Sequence, residues 1–438
     1  MRFKTFVICA LSLTIALGSQ AQSMVDRQRD SIASSTRVVA IDGGRLTKLD
    51  AKDREFVGKV LNFYYDQFRN FQDPGAPYFM FMSSEHNVMM GIGGAVRLRA
   101  WFDWGGAMPF SRFQPYFISI PGDPTNKRHI SSTAAGTALF FRVIGNNKLF
   151  GDYQAYIEAG FSGYNSQDFK LKKAYVTWRE FTVGLANSTF CDLAAETPMV
   201  DAAGTTNKSD KSTVLFRYMP RLSKHVQVAV SVETPETFVA ADGVQTKAAS
   251  TYVPDFAAFV QWDWGVRNSQ HVRLSGVVRQ LCYRDLIAGK NHSIAGWGLQ
   301  FSSMSHPADP LTLYLCATVG RGYAGMGGDL SLGNYDLVGG KEAGRLYAPK
   351  SWGWQAGLQY NFKPNLFSCV TVSQFHYRPV SGVSPSEYKH GTLAAINLFW
   401  SPVARVTIGA ELDFAKRVNF SGAHGTAHRA QVTAMLDF

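Results

Sequence analysis

The segment RAQVTAMLDF (429–438) decides the fold. Ala430, Val432, Ala434, Leu436 and Phe438 are apolar, and their alternates Arg429, Gln431, Thr433 and Asp437 are polar, with Met435 the exception. Successive side chains of a strand point to opposite faces, so this segment has one apolar and one polar face. The same period of two runs through 403–416, where Val406, Ile408, Ala410, Leu412 and Phe414 alternate with Arg405, Thr407, Glu411 and Asp413. It returns in 222–233, with Val226, Val228, Val230 and Val232 against Gln227, Ser231 and Glu233.

A soluble sandwich would alternate in the same way, but two features point to a transmembrane barrel. The segments are long, about 10 to 14 residues, as a tilted crossing of roughly 9–11 residues requires; soluble strands average about 5–6. Strands are expected near 88–104, 134–145, 149–163, 167–178, 180–190, 211–219, 222–233, 254–264, 270–283, 290–303, 308–321, 350–362, 365–378, 387–401, 403–416 and 426–438. Even-numbered strands are followed by tight links such as Asn146-Asn147, Arg179, Pro220-Arg221, Lys363-Pro364 and Pro402. Odd ones are mostly followed by long links, 105–133, 191–210, 234–253 and 322–349, with a short link after 163 as the departure. Short turns on one side and long loops on the other make an all-β, antiparallel transmembrane barrel of about sixteen strands. Trp104, Trp178, Trp262, Trp264, Trp352, Trp354 and Trp400 fall near strand ends, where amphipathic rings meet lipid headgroups.

The N-terminus sets the compartment. Arg2 and Lys4 precede an apolar run from Phe6 to Leu17, and Ser19-Gln20-Ala21 offers small residues before a cleavage site. This is the pattern of a signal peptide, 1–21, cut after Ala21. Cys9 lies inside the apolar run with no small-residue box before it, so no lipoprotein is expected. Beyond it no run of about 18 apolar residues occurs, which excludes a helical inner-membrane protein. Residues 22–87 form an N-terminal extension. Within it 51–72 reads as an amphipathic helix capped by Asp50, with Phe56, Val57, Val60, Leu61, Tyr64, Phe68 and Phe71 on one face. Asp73-Pro74-Gly75-Ala76-Pro77 stops it, and the barrel occupies 88–438. Cys191, Cys282, Cys316 and Cys369 show no paired spacing and read as buried, unpaired residues. The formal charge is +11, two less after loss of Arg2 and Lys4. A basic exported chain suits anionic solutes, lipopolysaccharide or peptidoglycan, not nucleic acid.

Several stretches carry a family resemblance: FQDPGAPYFMFMSS (71–84), GIGGAVRLRAWFDWGGAMPF (91–110), TAAGTALFFRVIGNNK (133–148), YQAYIEAGFSGY (153–164), FKLKKAYVTW (169–178) and GLANSTFCDLAAETPMVDA (184–202). Together they resemble the DcaP-like trimeric porins, particularly those of Bacteroidetes. The resemblance is dense over 70–220 and thins afterwards to strand rhythm and the final Phe438, which resembles the assembly signal of outer-membrane proteins. It implies a sixteen-stranded homotrimeric barrel with a periplasmic helical extension and a preference for negatively charged solutes such as dicarboxylates. The segment 51–72 is short for the long coiled coil of such an extension.

Lipid-facing charges cost about 2–4 kcal/mol at mid-membrane, so the polar row of each strand must face the lumen. The inward basic residues are then Arg97, Arg99, Arg142, Lys173, Arg217, Arg273, Arg279, Arg405 and Arg429; the inward acids are Asp103, Glu158, Glu233, Asp263, Glu411 and Asp413. Closure of the last strand on the first would gather Arg405, Arg429, Arg97, Arg99, Arg142 and Lys173 into a basic wall. Guanidiniums there could hold carboxylates by two-point contact. Alternatively the acids pair with them and neutralise the lumen. The link 191–210, with Asp192, Glu196 and Asp201, resembles the pore-folding constriction loop of porins, and either bends inward to face the basic wall or stays outside. No cofactor or metal is expected: the ten histidines show no helical His-x-x-x-His pair, and the Gly-rich stretch 322–344 has no following Gly-Lys-Ser/Thr. The absence of Gly-x-Ser-x-Gly argues against a barrel hydrolase. A plugged structural or adhesive barrel is the other rival to a pore.

Overall fold

The computed structural model describes residues 24–438 except 43, 84, 86, 107, 109, 110, 148–150, 163–167 and 381. The expected signal segment 1–21 lies outside the described residues. Sixteen strands form the barrel: β1 Val88–Trp104, β2 Ala138–Asn147, β3 Gly151–Ser162, β4 Asp168–Trp178, β5 Phe181–Asn187, β6 Ser212–Tyr218, β7 Val226–Glu233, β8 Asp255–Trp264, β9 Gln270–Asp285, β10 Lys290–Ala308, β11 Leu311–Arg321, β12 Lys350–Lys363, β13 Leu366–Arg378, β14 Tyr388–Val403, β15 Val406–Asn419 and β16 His424–Asp437. Each expected segment overlaps one of them, with ends that differ by up to five residues. The pairing is antiparallel around the ring, and β16 closes on β1 from His428↔Trp104 to Asp437↔Ala95. The short strand Arg128–Thr133 extends β2 along the upper half of β1.

Closure places backbone against backbone beside two glycines. Phe438 donates its N–H to Gly94 O at 3.0 Å and accepts from Gly94 N at 3.1 Å. A Cβ on Gly94 would stand 2.4 Å from Ala138 O, and one on Gly93 2.6 Å from Phe438 O. Only residues without a Cβ admit this approach.

Alternation becomes inside and outside. In β8 every second residue from Asp255 to Asp263 is buried, while Phe256, Val260 and Trp262 are exposed. Ile92, Val96, Leu98, Phe102, Leu412, Val432 and Leu436 continue the apolar outer band, and Trp178, Trp262 and Trp400 stand half-exposed at the short-turn end. With no unpaired edge around the ring, such a surface can face hydrocarbon. No described helix is long and apolar enough to cross a membrane. The four described cysteines are free and buried.

The N-terminal region departs from expectation. It comprises α1 Met24–Ser34, the strand Arg37–Asp42, and α2 Ala51–Phe63. Arg37–Asp42 pairs in parallel with Phe79–Ser83, which in turn pairs with the foot of β1. Asp50 caps α2 as expected, within a reciprocal box: Asp53 N donates to Asp50 Oδ1 at 2.8 Å, and Asp50 N to Asp53 Oδ2 at 2.9 Å. The helix ends at Phe63, however, not at 72. Its terminal carbonyls need partners, and Arg142 on the barrel wall donates to Phe63 O, a favourable place for a cation. Residues 64–77 then run as a strap through the short-turn end of the lumen. The apolar residues read as one helical face divide accordingly: Val60 and Tyr64 are buried with Met80, Met89, Phe140 and Tyr156, whereas Phe71 packs between Phe367 and Phe399.

Candidate functional site

The lumen is lined by the polar alternates of the strands and largely filled by chain. The link 188–211 folds inward, so Asp192, Glu196 and Asp201 lie inside the barrel. Its residues are nearly all buried, and its contacts step around the wall. Asp192 Oδ2 accepts from Ser302 Oγ at 2.5 Å and lies 2.8 Å from His271 Nε2, while Arg273 stands 3.6 Å from its other oxygen. Thr206 meets Ser373, and Asn207 meets Thr318. At the tip, Glu411 Oε2 accepts from Val200 N at 2.8 Å and Oε1 from Asp201 N at 2.9 Å. Asn397 and Gln431 each donate to the same carboxylate at 2.9 Å. Burial pushes the Glu196 carboxyl up to about 7 against the pull of Lys208. Burial also raises Asp192, but Arg273 and His271 outweigh it and hold that carboxyl below the usual range. Asp201 is likewise raised by burial and more strongly lowered by Arg99 and Arg429.

A second inward segment follows β1. Phe113 N donates to Asp201 Oδ2 at 2.9 Å, and Ser111 O accepts from Arg99 at 2.7 Å and Arg429 at 2.9 Å. Met108, Phe113 and Ile118 pack with Met199, Leu393 and Ala415. The sequence treated 105–133 as an external loop, and nothing in its composition distinguishes an inward fold from an outward one.

The nine basic residues face inward with one exception of placement. Arg405 lies in the turn between β14 and β15, where Ser35, Thr36, Ala76 O and Pro77 O receive it. Arg429 on β16, Arg97 and Arg99 on β1 and Arg142 on β2 do lie on adjacent strands, but Lys173 on β4 is separated from them by β3. They do not form a wall of free cations. Arg429 grips Asp103 in two-point contact at 2.6 and 3.0 Å and reaches Asp201 at 3.4 Å. Arg99 lies 3.3 Å from Asp201, Arg97 3.0 Å from Asp437, and Lys173 2.9 Å from Asp73. Arg279 joins Asp255 and Asp336. Unpaired buried charge is costly, and the inward acids sit opposite the cations in register, as Arg429 does to Asp103 and Lys173 to Glu158. Asp192 and Asp201 of the inward loop therefore touch wall cations directly instead of facing them across an eyelet.

Of these nine, three form no ion pair among the described residues: Arg405 in its turn and two guanidiniums on the wall. Arg142 donates to Phe63 O and lies over the rings of Tyr64 and Tyr156 at 4.5 and 4.2 Å. Arg217 donates to Thr189 Oγ1 at 2.8 Å and to Asn187 O, and sits 4.0 Å over the Phe68 ring. Both line a cavity of about 1200 Å³ at the short-turn end, together with Lys173, Asp66, Asp73 and Asp263. A second cavity, about 1430 Å³, lies against β1 and Arg128–Thr133; Arg99 and Arg112 supply its charge, His129 lies beside them, no carboxylate lines it, and the outward Leu98, Ile408 and Val432 also border it. Arg112 and His129 escaped sequence reasoning because they fall in the long link after β1.

No family model matches the chain, and no curated protein matches it. Solved structures do. The outer-membrane channel DcaP of Acinetobacter baumannii superposes with a TM-score of 0.68 at 19% identity, covering 80% of this chain and 98% of that one. The anion-selective porin from Comamonas acidovorans gives 0.50 at 10% identity, over 80% and 100%. A trimer form of OmpT from Vibrio cholerae gives 0.51 at 10% identity, over 80% and 99%. At these identities the likeness concerns the fold and does not single out the Bacteroidetes type. The chain has the fold of the outer-membrane porin channels: a closed sixteen-stranded antiparallel barrel.

Proposed function

We propose that the protein is a porin of the Gram-negative outer membrane that passes small, preferentially anionic solutes, dicarboxylates among them. One observation carries this reading: a sealed barrel, apolar outside, whose inner face holds arginines bordering a cavity of about 1200 Å³. A pore works through its diameter and its field. Arg142, Arg217 and Arg112 support the anionic preference, because no carboxylate pairs with them among the described residues. Guanidiniums bind carboxylate or phosphate by parallel hydrogen bonds. Short turns then face the periplasm and long loops the exterior with its lipopolysaccharide, and a signal peptide cleaved after Ala21 accounts for export. Assembly as a homotrimer accords with the trimer form of one structural neighbour. No catalytic role is assigned to any residue.

Planar-bilayer recording of the purified protein under a salt gradient tests the proposal. A reversal potential on the anion side, moved toward cations by Arg112→Glu, is expected. A cation-selective channel would remove the anionic preference. One observation favours a second reading, a plugged structural barrel: the strap and two inward loops occupy much of the lumen. Proteoliposomes that fail to swell in any small solute would establish it.

A further inference from the structure

Five of the nine inward basic residues are held by the chain's own N-terminal segment. Arg142 donates to Phe63 O. Arg97 donates to Gln72 O at 3.0 Å, Lys173 to Asp73 Oδ2 at 2.9 Å, and Arg273 to Gln67 Oε1 at 2.8 Å. Arg405 donates to Ala76 O at 2.6 Å and Pro77 O at 3.1 Å. What the strap offers these cations is a carboxylate, an amide oxygen and carbonyls, the same acceptor chemistry that a small dicarboxylate would bring.

Two further features distinguish the strap from the other lumen segments. Residues 65–73 are only partly buried and border the 1200 Å³ cavity, whereas 188–211 is almost wholly enclosed. The strap also satisfies many of its own backbone donors. Arg69 N donates to Asp66 O, Phe68 N to Asp66 Oδ1, Asn70 N to Asp73 Oδ2, Gln72 N to Asn70 Oδ1 and Asp73 N to Asn70 O. Those bonds travel with it, so withdrawal leaves few orphaned N–H groups behind. Its apolar anchors are Phe68 and Phe71, the latter 4.9 Å from Phe399 and 5.8 Å from Phe367, ring to ring.

We propose that residues 64–77 act as an internal competitor for anions: seated, the strap covers cations of the lower pore, Arg142 under Tyr64, Arg217 under Phe68 and Lys173 against Asp73, and displaced, it leaves these three around the 1200 Å³ cavity as a site for dicarboxylate solutes. The proposal rests on the porin reading. A solute that engages only the displaced state shifts the population toward it by its differential affinity.

Full-length protein in planar bilayers tests this with three chains: wild type, Phe71→Ala and Asp73→Asn. Phe71→Ala loosens the strap without changing charge, and Asp73→Asn is nearly isosteric, so one of the two remains informative if the other folds poorly, as judged by heat-modifiable gel mobility. Both variants are expected to raise unitary conductance about two-fold or more, and to be blocked by malonate at lower concentration than wild type. Wild-type conductance and malonate block in both variants would overturn the strap proposal while leaving the porin reading intact. A selectivity change in Asp73→Asn with no change in Phe71→Ala would also overturn it, since a fixed strap that lost a charge behaves so. Silence of all three chains would instead remove the porin reading, and the competitor with it.

Discussion

Asp73 and Glu196 are carboxyls of opposite temperament inside one lumen. Asp73 is raised by burial, then lowered further by Lys173 and Arg69, and settles at about 2. Its folded value lies below its unfolded one, so the stability it contributes is present above pH of about 4 and is lost as pH falls toward 2. Acid titration over that window should release the strap, read as a rise in conductance that Asp73→Asn abolishes. Glu196 is raised to about 7, chiefly by burial. Its folded value lies above the unfolded one, so the neutral acid favours the inward loop below pH of about 4.5, and that contribution fades as pH rises through 7. Glu196→Gln should flatten the dependence of loop order on pH between 5 and 8, measured by hydrogen exchange of residues 192–206. Neither carboxyl could be ranked from sequence, because Lys173 meets Asp73, and Glu196 becomes buried, only through folding.

At the scale of elements, the inward loop 188–211 governs the open cross-section. Glu411 pins its tip by accepting two consecutive backbone N–H groups, Val200 and Asp201, and Asp201 then draws in Arg99, Arg429 and Phe113 N. One carboxylate on β15 thus ties both inward segments to the wall. Removing 195–205 should enlarge the unitary conductance, and Glu411→Ala should do so partially with more frequent current fluctuation; an unchanged conductance in both would mean that solute does not pass beside this loop. The strand periods exposed β7, β15 and β16 plainly in the sequence. The inward course of 111–118 left no trace there, and that of 188–211 was signalled only by its resemblance to a constriction loop, since their composition suits water or a polar lumen equally. The helix offers a sharper lesson. Val57, Leu61, Tyr64, Phe68 and Phe71 keep a helical period, yet α2 stops at Phe63 because a wall arginine takes its terminal carbonyl and the rings beyond bind separate surfaces.

The whole molecule is a cylinder whose two faces obey different solvents. Val432 is exposed on the outer face between Ala410 and Ala100. Val432→Arg should destabilise the folded barrel by about 2–4 kcal/mol, measured by urea unfolding in vesicles, whereas Val432→Leu should be near neutral; equal effects would mean that this face does not meet lipid. What the sequence alone determined was the architecture: sixteen alternating segments, their short and long links and the inward row of charges. A period of two is a local property, written into neighbouring residues and imposed wherever one face of a strand is wet and the other is not. What only the tertiary structure decided was the state of the lumen. Whether Arg97 meets a solute or Gln72 O, and whether Asp201 faces Arg429 or touches it, depends on residues tens to hundreds of positions apart in the chain. Charge complementarity brings those groups together only after the barrel has closed and the loops and strap have found the one interior available to them.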